Sequence, residues 1–124
     1  MPADMMTHHI LVLPEFMNEH GILFGGYLLK WIDEFAYITA CLDYPHNRFV
    51  TVSLDNVEFR KPIKTGDILC FEVREVRLGN SSVKYSVTVF NDREKRADRN
   101  VLFETNIVFV NVDQNGQKHT IRRE

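Results

Sequence analysis

Residues Met17 to Leu42 read MNEHGILFGGYLLKWIDEFAYITACL, and this stretch decides the architecture. Its first part, Asn18 to Gly26, holds Gly21, Gly25 and Gly26. Glycine tolerates positive φ and lets another backbone or a ligand approach closely. Its second part, Tyr27 to Leu42, contains neither Gly nor Pro and is charged only at Lys30, Asp33 and Glu34. Leu28, Ile32, Phe35, Thr39 and Leu42 repeat at the spacing of one helical face, with Leu29, Ala36 and Ala40 as a second apolar stripe. A helix this apolar all round is expected to be buried. The rest of the chain is expected to hold it.

Two features of the stretch carry chemistry. Gly25-Gly26 opens the helix, where the first amides have no intrahelical acceptor and face the positive end of the dipole. Without a Cβ in the way, a substrate oxygen can reach them, which makes an oxyanion hole; a glycine pair is also simply a tight turn that packs closely. Asp33 follows Gly26 by seven residues, a rotation of about 700° and a rise of roughly 10 Å, so the two share a face. A carboxylate in a mainly apolar helix needs a partner or a task. The alternatives are an ion pair with Lys30 and plain exposure on a polar edge.

The 124 residues suffice for one domain with a core, read as 1–124 without linker or repeat. A net charge of −2 without a basic patch does not point to nucleic acid. No apolar run is long enough for membrane insertion, and MPADMMTHH lacks the pattern of a secretory signal. Cys41 and Cys70 make no disulfide framework, so free thiols in the cytoplasm are expected. His8 and His9 would point to opposite faces of a strand, and His20, His46 and His119 sit in separate contexts. No metal site is expected from this spacing.

Along the chain, Thr7 to Leu13 predicts a first strand stopped by Pro14. After the helix, Asp43 to Asn47 is a loop. Phe49 to Lys61 predicts a strand whose apolar phase shifts near Asp55-Asn56, from Val50, Val52 and Leu54 to Val57 and Phe59. Ile68 to Leu78 shifts likewise, from Leu69, Phe71 and Val73 to Val76 and Leu78. Val83 to Val89 and Val101 to Phe109 alternate cleanly, with a charged loop, Asn91 to Asn100, between them. Asn115-Gly116 closes a short hairpin or tail. One helix and about five strands give an α+β layout, a curved antiparallel sheet wrapped around the helix. Short connections predict that the four strands after the helix are successive antiparallel neighbours.

Asn18-x-x-Gly21-x-x-Phe24-Gly25-Gly26, then Leu28-Leu29, then Trp31-x-Asp33-Glu34, resembles the hallmark segment of hotdog-fold acyl-CoA thioesterases, in the YciA-like and cytosolic acyl-CoA hydrolase branch. FVTVSLDNVEFRKPI (49–63), Gly66-Asp67, Leu78 to Ser82 and the terminal Ile121 to Glu124 look like further parts of the same pattern. The resemblance implies a hotdog fold, in which this loop enters a long central helix wrapped by an antiparallel sheet. It implies hydrolysis of fatty acyl-CoA to free fatty acid and CoA. Asp33 would serve as general base or nucleophile, with Asn18 and the Gly26 amide polarising the carbonyl. Gly25 and the turn Gly79, Ser81 and Ser82 would contact CoA; the turn is equally an ordinary Gly-Asn-Ser turn. No cofactor is implied, coenzyme A being part of substrate and product.

The resemblance also implies a homodimer with active sites shared at the interface, and the family further assembles as trimers of dimers. The ~10 Å between Gly26 and Asp33 calls either for a bridging water or for a carboxylate supplied by a second chain, and the interface sites that the resemblance implies favour the second chain. Two alternatives stay open. A hotdog dehydratase or hydratase would need His20 as base. A non-catalytic acyl-CoA-binding module would bind without turnover.

Overall fold

The computed structural model describes residues 5–55, 60–93 and 99–124. Strand β1 (Met6–Leu11) leads through a single 3₁₀ turn (Pro14–Phe16) to helix α1 (Gly25–Asp43). Strands β2 (Phe49–Leu54), β3 (Ile68–Leu78), β4 (Ser82–Asn91) and β5 (Val101–Asn111) follow. All five strands join one antiparallel sheet in the order β1-β3-β4-β5-β2, against which α1 packs.

The period-2 pattern explains the packing. Val83, Tyr85, Val87 and Val89 of β4 are all fully buried, and every residue between them is half-buried on the opposite face. They meet Leu28, Ile32, Ala36 and Ala40 of the helix within one hydrophobic cluster. Leu28→Ala would cost about 2–5 kcal/mol, because a close-packed site only partly collapses around the lost atoms. The far end of the helix is tied to the sheet by the Tyr85 hydroxyl, which donates to Asp43 at 2.8 Å, and by the Tyr44 hydroxyl, which donates to Glu75. Burial first, then these hydrogen bonds, holds both hydroxyls protonated far above the usual phenol range.

Three sequence expectations need correction. The strand expected over Phe49 to Lys61 is described as continuous only over Phe49–Leu54, with a register shift between Thr51 and Ser53; the shift expected near Asp55-Asn56 reaches residues outside those described. Val57 and Phe59 lie outside the described residues. Second, β2 does not neighbour β3. It pairs with β5 at the opposite edge, because Arg60 to Ile63 is not part of a hairpin. That segment runs to the helix start, where the Leu23 amide donates to the Ile63 carbonyl at 2.9 Å. Third, the helix is not buried all round. Leu29, Tyr37, Ile38 and Leu42 are exposed, as are Val50 and Val52 on β2. The phase shift in β3 does coincide with a bulge, between Glu75 and Arg77, and Val76 at the bulge faces solvent.

Candidate active site

The loop entering α1 is organised by Asn18. Its side-chain Oδ1 accepts from the amides of His20 (2.8 Å) and Ile22 (3.1 Å), while its backbone pairs with Ile22 and Gly21. Asn and Asp side chains favour such local turns. Gly21 sits at φ 73°, a left-handed conformation that a side chain would strain. With Oδ1 engaged by two donors, Nδ2 has no hydrogen-bond partner among the described residues. Phe16 packs tilted against Tyr27 and edge to face against Trp31, with ring centroids 4.8 and 5.1 Å away.

The helix then begins at Gly25 with no side-chain cap from Phe24. The Tyr27 amide bonds back to Phe24, and no intramolecular acceptor meets the amides of Gly25 and Gly26 among the described residues. A Cβ added to Gly26 would meet nothing within 4 Å, so the space beside this residue is open. Two clefts flank it. One, of about 250 Å³, is lined by Ile22, Leu23, Gly25, Pro62 and Ile63 with Arg60 and Lys61 at its rim. The other, of about 330 Å³, is lined by Phe24, Gly26, Tyr27 and Lys30. Open amides at the positive end of a helix are suited to a developing negative oxygen.

Two turns further on, Asp33 is exposed, and its Oδ1 accepts from the Thr51 hydroxyl of β2 at 2.7 Å. Lys30 makes no ion pair with it. One carboxylate oxygen is therefore fixed by a neutral donor, and Oδ2 has no partner among the described residues. Thr51 is a residue the sequence did not single out. Its partner lies eighteen positions away on another element, and nothing local marks a strand threonine as a ligand of a helix aspartate.

Gly79, Ser81 and Ser82 are placed elsewhere. They form the β3–β4 turn, where the Gly79 amide donates to the Ser82 carbonyl at 2.8 Å. A Cβ on Gly79 would lie 3.0 Å from Ser82 Oγ. The turn adjoins the C-terminal tail: Ile121 N donates to Asn80 O, and Arg123 reaches Gly79 O at 3.1 Å. Beside it a polar cavity of about 440 Å³ is lined by His46, Arg48, Asn111, Asp113, His119 and Arg122, among others. Asn47 pins the tail there by bonding both the amide and the carbonyl of Arg122 at 2.8 Å. The fold thus gathers Asn18, Gly25 and Gly26 at the start of a 19-residue helix, with the turn beyond its other end.

The profile of the thioesterase superfamily matches residues 20–97, a span that contains the glycine pair, Asp33 and the β3–β4 turn. The chain belongs to the thioesterase superfamily. Among its relatives in this superfamily is an uncharacterized acyl-CoA thioester hydrolase of Haemophilus influenzae, 34% identical over 117 residues, covering 92% of this chain and 75% of that protein. An acyl-CoA hydrolase from Staphylococcus aureus, solved with butyryl coenzyme A and coenzyme A, superposes with a TM-score of 0.80 at 32% identity, covering 95% of this chain and 69% of that one. A hexameric thioesterase of Yersinia pestis superposes with a TM-score of 0.80 at 30% identity over 92% of each chain. The Staphylococcus aureus enzyme has also been solved with single alanine replacements of an asparagine, of an aspartate fifteen residues later and of a threonine seventeen residues after that.

His20 is exposed and its ring has no hydrogen-bond partner among the described residues. His9, however, is not isolated. It comes together with Cys70 and Asp92 on the sheet face away from the helix. Sequence spacing could not reveal this, since the three sit on β1, β3 and the end of β4.

Proposed function

We propose that this thioesterase-superfamily protein hydrolyses acyl-CoA to a carboxylic acid and CoA. The observation that carries the proposal is the pairing of open Gly25-Gly26 amides with a carboxylate, Asp33, held by Thr51 with one oxygen free. A thioester is already activated, so positioning, a polarised carbonyl and an activated attacking oxygen suffice. The Gly26 amide and Asn18 Nδ2 receive the carbonyl oxygen as it becomes negative. Asp33 Oδ2 either takes a proton from the attacking water, or attacks the carbonyl carbon itself to give an anhydride that water then cleaves. In both routes the C–S bond breaks, and the CoA thiolate leaves and takes a proton. None of these steps calls on a cofactor.

The Asn18-to-Asp33 spacing supports the roles, since it equals the asparagine-to-aspartate spacing of the Staphylococcus aureus variants. Thr51, eighteen residues after Asp33, corresponds to the threonine seventeen residues after that aspartate, within one residue.

Each site takes Asn18 and Gly26 from one chain and Asp33 from a second. Three observations favour this. Gly26 and Asp33 of one helix are separated by a rise of roughly 10 Å. The exposed stripe Leu29, Tyr37, Ile38 and Leu42 flanks Asp33, and β2 beside it is an open edge with Val50 and Val52 exposed. Monomers rarely leave such an edge and patch uncovered. Finally, the helix is about 28 Å long, so the Gly79–Ser82 turn and the nearby Arg48, Arg122 and Arg123 stand far from the same chain's Gly26. They suit the CoA phosphates of a site completed by a second copy. Trimers of such dimers follow the hexameric relatives. Two free thiols, Cys41 and Cys70, fit a cytoplasmic protein.

The test is release of free thiol from a panel of short, medium and long acyl-CoAs. Asp33→Asn should lower kcat by about 10²–10⁴ with KM nearly unchanged, as expected for a group acting in the transition state. Retained kcat with raised KM would make Asp33 a binding residue. Chelator should leave turnover intact. A new enoyl absorbance without thiol release would instead indicate a dehydratase, and binding without any turnover a sensor module.

A further inference from the structure

On the sheet face opposite the helix, three metal-ligating side chains converge that the hydrolysis reaction does not use. His9 of β1 and Cys70 of β3 are direct cross-strand partners. Asp92, just after β4, is docked there by its amide, which donates to the Ile68 carbonyl at 2.7 Å. One ligand atom from each of His9, Cys70 and Asp92 can be chosen so that all lie within 4.8 Å of one another. His9 Nε2 is 2.9 Å from Asp92 Oδ2. Cys70 is 1% exposed and the Asp92 side chain 8%, whereas the His9 side chain is 48% exposed. The cluster is closed below and open to solvent on one side.

We propose that His9, Cys70 and Asp92 form a zinc-type divalent metal site that clips the turn after β4 to the β1 edge. The donor set is imidazole nitrogen, thiolate sulfur and carboxylate oxygen, which suits a borderline-soft cation with water in a fourth position. Tetrahedral zinc bonds of about 2.0–2.3 Å hold ligand atoms roughly 3.3–3.6 Å apart. The His9–Asp92 gap needs to open by a few tenths of an ångström, and the sulfur to close from at most 4.8 Å. Two of the ligands stand on paired strands, so the site is largely preorganised.

Arg99 supports the cluster from its Asp92 side. Arg99 Nε donates to Asp92 Oδ1 at 3.1 Å and its Nη1 to Glu72 Oε2 at 2.9 Å, with the guanidinium stacked 3.8 Å from the Phe90 ring centroid. Asp92 Oδ2 is the oxygen that meets His9. Metal entry releases the Cys70 thiol proton to solvent. Arg99, which also lies against Cys70, then holds Asp92 through Oδ1, as outer partners of metal ligands do. The clip stands on the sheet face opposite Asp33, so its effect is on stability and is independent of the hydrolysis proposed above.

The test uses the full chain, stripped by chelator and titrated with cobalt(II) and zinc(II) alone. One equivalent of cobalt per chain should bind and give an intense near-ultraviolet thiolate-to-cobalt band. Zinc at about a hundredfold excess over its Kd should raise the Tm on the order of 10 °C. Cys70→Ser should abolish the band while Cys41→Ser keeps it. His9→Gln, a change at a half-exposed side chain that leaves the fold intact, should weaken binding at least tenfold. Absence of saturable binding, a band that survives Cys70→Ser, or equal affinity in His9→Gln would overturn the proposal.

Discussion

The Thr51 hydroxyl donates to Asp33 Oδ1 at 2.7 Å, joining the edge strand β2 to the exposed face of the central helix. This bond fixes which carboxylate oxygen is available. Thr51→Val removes the donor and keeps the shape. It should lower kcat roughly tenfold, in line with loss of one hydrogen bond to a charged group, with little change in Tm. Thr51→Ser should restore most of it. Steady-state thiol release for the three proteins checks this; equal kcat in Val and wild type would remove Thr51 from the site.

Gly26 allows stability and activity to be separated. The position is helical and a Cβ there meets nothing within 4 Å. Gly26→Ala should therefore stabilise the chain by about 0.5–1 kcal/mol through helix propensity. The added methyl would narrow the approach to the amide proposed to hold the carbonyl oxygen, so kcat/KM should fall. Thermal melts beside kinetics decide it. A stabilised and fully active Gly26→Ala protein would show that substrate does not approach this amide.

His8 predicts a pH dependence of stability. Its ring stacks on Phe35 with centroids 4.4 Å apart, and its Nε2 is buried without a partner among the described residues. Burial first, and the neighbouring His9 second, lowers its pKa below the usual 6.5. The unfolded chain then binds the proton more tightly. The stabilisation is full above about pH 6.5 and is lost as the pH falls from there through the lowered folded pKa. His8→Phe keeps the stack and removes the titration. Its Tm should be flatter than wild type between pH 7 and 5, and parallel Tm–pH curves would contradict this.

The helix, its glycine entry and the antiparallel sheet were legible because each leaves a local periodic or turn signal. The loop-holding role of Asn18 Oδ1 was hidden, since it depends on a turn closed by His20 and Ile22 amides. The placement of β2 at the far edge was missed because the short connection after Lys61 reads as a hairpin between successive strands until the tertiary bond of Ile63 to Leu23 is seen. Leu29 and Leu42 read as core but are exposed, since apolar periodicity does not distinguish a face against one's own sheet from one that faces outward. Thr51 and the His9–Cys70–Asp92 cluster rest on pairings between distant strands, for which a single sequence carries no local mark.

The shared site is the central claim, and subunit mixing tests it most directly. Asn18→Asp keeps the oxygen that organises the loop and removes the Nδ2 donor, so it should fold and be inactive; Asp33→Ala should be inactive for lack of the carboxylate. Refolded together, random pairing makes half the dimers mixed. With sites built from two chains, a mixed dimer has one site with both lesions and one with neither. Thiol-release activity should then return to about a quarter of wild type. If Asn18 and Asp33 of one chain serve the same site, every site carries a lesion, and activity that stays at the level of the separate variants after confirmed exchange would contradict the account.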